Sequence, residues 1–307
     1  MVGLDALAPP LDGSAVTIGT FDGVHVGHRA LITCTRNEGE RRGIPAAVVT
    51  WDRHPAETLR PDRVPPLLCT PERKVKLLEE TGVDVLSLLA FDKELSTWPP
   101  QRFVDRVLVT GLRARSVIVG AGWRFGHRAV GDAELLRTLG SARGFDVTVV
   151  PLTEVAGGPA SSSRVRAAVG AGDLELAARL LGRPFEVQGK VVHGHHRGKA
   201  LGYPTANLVP VPGLLYPPRG VYAGEAHLGG QRRQAAINVG VNPTFANAGE
   251  NPLRVEAYLL DFDGDLYGQV LRVAFHRRLR EERTFSSVED LVDQMGRDVE
   301  ETRALTC

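Results

Sequence analysis

The stretch Gly19-Thr20-Phe21-Asp22-Gly23-Val24-His25-Val26-Gly27-His28 follows directly on the β-branched run Ala15-Val16-Thr17-Ile18 and leads into an amphipathic stretch from Arg29 to Arg41. A strand that hands over to a helix through glycines is the opening of an α/β unit, whose ligands bind at the carboxyl edge of the strand. Glycine there lets phosphate approach the backbone, the new helix offers its free amides, and two imidazoles can stabilise phosphate oxygens in transfer. His25-x-Gly-His28 is therefore read as a candidate phosphate site, with Gly19, Phe21, Asp22 and Gly27 forming the loop around it. The competing reading is a glycine-rich turn with two exposed histidines.

Outward from this loop the alternation continues. Short runs at Ala47 to Thr50, Val83 to Leu89, Val117 to Val119 and Val147 to Val150 are separated by amphipathic stretches at Pro71 to Thr81 and Ala133 to Ala142. This order predicts a parallel sheet with helices between its strands. Helices follow near Ser163 to Val169 and from the cap Asp173 to Leu181, where Gly182 and Pro184 stop the pattern. Beyond Phe185 the texture changes to strands with turn punctuation, at Phe185 to His193, Gly220 to Leu228, Arg233 to Val239, Arg254 to Leu260 and Gln269 to Phe275. That spacing predicts a small antiparallel barrel. A last helix is expected from Ser286, with Glu289 completing a capping box and Val288, Leu291, Val292 and Met295 lying against the barrel. The expected domains are 1–182, a Rossmann-like α/β unit, and 183–307, the barrel with its C-terminal helix.

The 307 residues, 43% hydrophobic and 24% charged, suffice for two packed cores. Thirty-seven basic residues nearly cancel 36 acidic ones, so no global field favours nucleic acid or an anionic membrane. No apolar run reaches the roughly 20 residues that span a bilayer, and the start lacks a signal sequence, so a cytoplasmic location is expected. Cys34, Cys69 and Cys307 are odd in number and scattered, as reduced thiols are. Homo-oligomerisation is left open.

The barrel half carries Gly194-His195-His196-Arg197-Gly198-Lys199-Ala200-Leu201-Gly202-Tyr203-Pro204-Thr205-Ala206-Asn207 after its first strand. It is not a Walker loop, because Lys199 is followed by Ala200 and the earlier glycine is missing. A Gly/Lys/Arg loop around Gly198 and Lys199 can still wrap β- and γ-phosphates, while the hard oxygens of Thr205 and Asn207 suit Mg²⁺. His193, His195 and His196 lack cysteine or carboxylate partners at metal-ligand spacing and read as a polar loop. Asp261, Asp263 and Asp265 mimic a calcium loop, but the glycine and the closing glutamate fall at wrong positions. Glu256 stands in an alternating strand between Val255 and Ala257, which allows one inward carboxylate. An exposed strand glutamate is the alternative.

The run Thr17 to His28 resembles the nucleotidylyltransferase superfamily. Taken with His54-Pro55, Trp123-Arg124-Phe125-Gly126, Ser161-Ser162-Ser163-Arg164-Val165-Arg166, Gly202-Tyr-Pro-Thr-Ala-Asn207, Ile237 to Phe245 and Val255 to Gly268, it resembles bacterial bifunctional riboflavin kinase/FAD synthetase. The resemblance implies that the barrel phosphorylates riboflavin to FMN with ATP and Mg²⁺, and that the first domain joins FMN to the AMP part of ATP, giving FAD and pyrophosphate. It implies that His25 and His28 hold ATP phosphates, that Ser162, Ser163 and Arg166 close on the triphosphate, and that Trp123 and Phe125 meet the flavin. Glu256 is implied as the base for the ribityl 5′-hydroxyl, and Arg280 as a contact of the flavin or its new phosphate; solvated residues in a charged connection are the alternative for Arg280 and Glu282. Three positions depart from the family pattern: Gly122 for Asn or Asp, Pro159 for Arg, and Arg53 for Pro. They lead to the expectation of weakened FMN adenylylation, and they keep two rivals in view, a monofunctional kinase with a degenerate first domain and a non-catalytic flavin- or nucleotide-binding regulator.

Overall fold

Strands β1 (Ser14–Ile18) and β2 (Ala46–Trp51) are buried along their whole length. Continuous apolar runs of this kind belong to parallel strands covered on both faces. The computed structural model describes residues 13–194, 201–241 and 253–305. The chain divides into two compact units, 1–162 and 163–307.

In the first unit β3 (Val85–Leu89), β4 (Ala114–Gly120) and β5 (Asp146–Val150) complete a sheet of order β3-β2-β1-β4-β5 with every pair parallel. The chain leaves β1 toward β2 and β3, then crosses to β4 on the other side, so the carboxyl end of β1 is the switch point where such sheets bind ligands. Helix α1 (Val26–Arg42) starts there. Alternate residues feed two cores, Val16, Ile18, Val117 and Val119 with Trp51, Phe103 and Leu108 on one face, and Ala15, Val48 and Ile118 with Ile32, Leu77 and Leu78 on the other. Around the sheet run α2 (Pro55–Leu59), α3 (Pro71–Glu79), α4 (Lys93–Ser96), α5 (Pro100–Phe103), a π-helical stretch Val104–Gly111, and α6 (Ala133–Arg143). Thr70 caps α3, its hydroxyl accepting from Arg73 N at 3.3 Å. A two-residue hairpin, β6 (Glu154–Val155) and β7 (Gly158–Pro159), turns through Ala156 and Gly157 at φ 49° and 76°.

Helices α7 (Ser162–Ala171) and α8 (Leu174–Leu181) come next, α8 capped by Asp173 and stopped by Gly182 at φ 71°. The six strands β8 (Phe185–Val192), β9 (Ala206–Leu208), β10 (Gly220–Leu228), β11 (Gln231–Val241), β12 (Leu253–Leu259) and β13 (Val270–Arg280) close a barrel in the order β10-β11-β12-β9-β8-β13. All six pairings are antiparallel. Phe185, Tyr222 and Phe275 fill the core, with ring centroids 6.4 Å apart for Phe185–Phe275 and 5.3 Å for Tyr222–Phe275.

The last helix, α9 (Val288–Arg303), corrects the sequence expectation in two ways. Its cap is Ser287, which accepts from Asp290 N at 3.1 Å, while Ser286 donates to the Asp290 carboxylate at 2.6 Å. Its buried residues are Gln294, Asp298 and Thr302, whereas Val288 is 56% exposed. The apolar stripe therefore serves something other than the barrel core. Phe275→Ala is expected to cost the barrel about 3–5 kcal/mol, measured by denaturant unfolding; a loss below 1 kcal/mol would contradict the packing described.

Candidate active sites

The turn from β1 into α1 is held by its own side chains. His25 caps α1, its Nδ1 accepting from His28 N at 3.3 Å, and the two imidazoles stack at 3.6 Å between centroids, 19° from parallel. Phe21 is wholly buried with its ring edge-on to His28 at 5.0 Å, so it supports the histidines from beneath. Phe21 and Val24 take φ 50° and 40°. For residues with a Cβ such angles cost of order 1–3 kcal/mol, and they collect at functional turns. A Cβ on Gly27 would sit 3.2 Å from the His25 ring. Burial, with His25 adding to it, holds His28 well below the usual imidazole range, so the ring is neutral at pH 7. Its Nδ1 is buried with no hydrogen-bond partner among the described residues. Ser162 donates to Asp22 O at 2.9 Å, and the Asp22 carboxylate accepts from Leu68 N at 3.0 Å. Ser163 and Arg166 stand on α7 within the residues counted with the second unit.

Beside this turn lies a cavity of about 290 Å³ lined by Thr20, Asp22, Asp52, Arg53, Cys69 and Lys74 among others. Lys74 is only 7% exposed, its Nζ donates to Trp51 O at 2.7 Å, and burial lowers its pKa. The sequence reading passed over it. The available signal was a lysine three and four residues ahead of Leu77 and Leu78, on the apolar face of α3. Arg53 is half exposed and paired with Asp52 at 3.0 Å, and His54 caps α2. Trp123 stacks on Phe125 at 4.8 Å, 14° from parallel. Gly122 just before it has φ 80° and open space where a Cβ would stand.

The barrel carries a larger cavity, about 750 Å³. Val255 and Ala257 are fully buried, so alternation puts Glu256 on the outer face of β12, where it lines this cavity. The inward orientation that the sequence allowed is thereby corrected. Register sets Asn238 of β11 and Asn207 of β9 on either side of Glu256. Arg254 Nη1 lies 3.5 Å from Glu256 Oε1. Thr205 and Arg280 line the same cavity, together with Leu291 and Met295 of α9. Asn238 does not stand out from the sequence, where its signal is a lone amide within Ile237-Asn-Val-Gly. Gly198, Lys199, His195 and His196 lie outside the described residues. Asp261 pairs with Arg303 at 2.6 Å and Asp265 accepts from Tyr267 N at 2.8 Å, so these carboxylates serve a turn.

The family model described as FAD synthetase matches residues 8–164, and that described as riboflavin kinase matches residues 181–306. The bifunctional riboflavin kinase/FMN adenylyltransferase of Pseudomonas fluorescens is 40% identical over 303 residues, which cover 99% of this chain and 96% of that one. The chain belongs to the bifunctional riboflavin kinase/FMN adenylyltransferase family. The family's protein from Bacillus subtilis (strain 168) is 33% identical over 289 residues, covering 94% of this chain and 91% of its own. A crystal structure described as a macrolide-efflux protein from Streptococcus pneumoniae superposes with a TM-score of 0.89 at 31% identity, covering 100% of this chain and 99% of that one. No helix among the described residues is long and apolar enough to cross a membrane.

The depressed pKa of His28 has a consequence for stability. The unfolded chain takes up a proton near pH 6.5 that the folded ring refuses, so stability contributed by neutral His28 is present above that pH and is lost as pH falls through the lower folded value. NMR titration of the His28 ring should show the neutral form persisting well below the ordinary imidazole midpoint near 6.5, and His28→Gln should flatten the acid limb of the first unit's stability. A His28 midpoint near 6.5 would contradict the burial.

Proposed function

We propose that Glu256 receives the proton of the ribityl 5′-hydroxyl as that oxygen attacks the γ-phosphorus of ATP, giving FMN and ADP, and that the His25–His28 turn holds the ATP whose α-phosphorus FMN attacks to give FAD and pyrophosphate. The observation that carries the first half is the position of Glu256 between Asn207 and Asn238 on a cavity wall. A carboxylate within reach of a bound hydroxyl acts as general base, and amides on both sides can orient the substrate. The cavity's other wall, with Leu291, Met295 and Phe285, offers apolar surface to a flat ring system.

Thr205 and Asn207 suit Mg²⁺, since two neutral hard-oxygen donors leave the other positions of an octahedron to phosphate oxygens and water. Bound there, the ion would neutralise charge on the transferring phosphate. Gly198 and Lys199 belong to the same proposal as phosphate contacts. Two stacked imidazoles at a helix N-terminus can donate N–H groups to phosphate oxygens, and positioning suffices for in-line transfer without a covalent intermediate. Gly19, Asp22 and Gly27 then serve as the frame of the turn, Ser162 as a further phosphate contact, and the stacked Trp123–Phe125 pair as flavin contact. The free thiols Cys34 and Cys69 support a reducing, cytoplasmic setting.

A weakened adenylylation step has one specific support. Gly122 occupies the left-handed region that Asn tolerates best among residues with a Cβ, so glycine keeps the turn and loses only the amide. Restoring it with Gly122→Asn, together with Pro159→Arg, is expected to raise FAD formation from FMN by up to about 10²-fold; an unchanged rate would show that the departures cost nothing. Glu256→Gln should lower FMN formation by about 10²- to 10⁴-fold and leave adenylylation of supplied FMN untouched. Riboflavin phosphorylation at the wild-type rate in that variant would remove Glu256 from the mechanism.

A further inference from the structure

Helix α9 buries polar residues and turns its apolar ones to the kinase cavity. Asp298 is 4% exposed, and at such depth a carboxylate must have its lone pairs satisfied. It accepts from Arg280 Nη2 at 2.7 Å, from Arg280 Nε at 3.0 and 3.1 Å, and from Gln294 Nε2 at 2.8 Å. Gln294 Oε1 in turn accepts from Arg283, and Arg280 Nη1 donates to Glu281 O at 3.1 Å. Both guanidinium groups lie over the ring of Phe285, at 4.9 Å for Arg283 and 5.7 Å for Arg280. Residues 281–287, which join β13 to α9, are thus tied to the helix by Arg283, flanked by Arg280 at the end of β13, and carry one aromatic ring. Arg280, Arg283, Phe285 and Asp298 line the same cavity as Glu256.

An arginine engaged through Nε, Nη1 and Nη2 and matched by a buried carboxylate has little charge left to offer a phosphate. Its use is to hold the segment. We propose that Asp298 is a positioning residue for the kinase step, acting through Arg280 and Gln294 to fix residues 281–287 and the Phe285 ring as the wall that receives the flavin ring. This rests on the assignment of the cavity to riboflavin. Riboflavin affinity then depends on Asp298, whereas the chemistry at Glu256 does not pass through it.

The test uses the full chain, with FMN formation followed against riboflavin at saturating Mg-ATP and FMN adenylylation measured on the same preparation. Asp298→Asn leaves Arg280 buried beside a neutral group. It should raise KM for riboflavin by about tenfold with kcat within about threefold, and leave adenylylation unchanged. Asp298→Glu should bring KM back to within about threefold of wild type. An unchanged KM in Asp298→Asn, a fall in kcat at constant KM, or parallel loss of both activities would overturn the proposal. Should Asp298→Asn fail to fold, Arg283→Gln cuts the same network at Gln294, and the same KM-against-kcat split decides. A wild-type protein that forms no FMN would instead refute the assignment of the cavity itself.

Discussion

The two-residue alternation of β12 is the constraint on which the kinase half depends. Val255 and Ala257 are committed to the barrel interior, where they are fully buried, so Glu256 has only the outer face to occupy. The same register that closes the barrel sets Asn207 and Asn238 opposite it. A slip of one residue would send the carboxylate into an apolar core and two apolar side chains into the cavity, which ties the site to correct barrel closure. The three-residue strand β9 matters beyond its length, because it both joins β12 to β8 and delivers Asn207.

In the first unit a comparable constraint acts at the switch point of the parallel sheet. Central strand β1 must end where α1 begins, and the connection is short enough that His25 serves as helix cap and His28 as its stacking partner. The buried Phe21 beneath them and the two left-handed non-glycine residues make this turn costly to build and hard to deform, a state suited to positioning phosphates without covalent chemistry.

Much of this was legible in the residues. The Thr17 to His28 loop, the five β-branched runs and the turn-punctuated second half were enough to place a parallel sheet before an antiparallel barrel, because period and punctuation are local properties. The strand β9 was not legible, since Gly202 and Pro204 make its approach look like a turn and only pairing with β12 reveals a strand. The α9 apolar stripe was visible, but periodicity says which residues share a face and not what that face meets, so Leu291 and Met295 were assigned to the barrel when they line a cavity. Lys74 and Asp298 escaped for a related reason: a charge on a helix reads as solvated until its burial and partners are known.

Two separate transfers from ATP, one of its γ-phosphoryl group and one of its adenylyl group, distinguish the two reactions. The most direct measurement supplies purified full-length protein with riboflavin and Mg-ATP labelled in parallel samples at the γ- or the α-phosphate, then separates the flavins. The expected result is γ-label in FMN and in the FAD made from it, and α-label in FAD alone. Label from the α-phosphate in FMN, or FMN formed without γ-label, would contradict it.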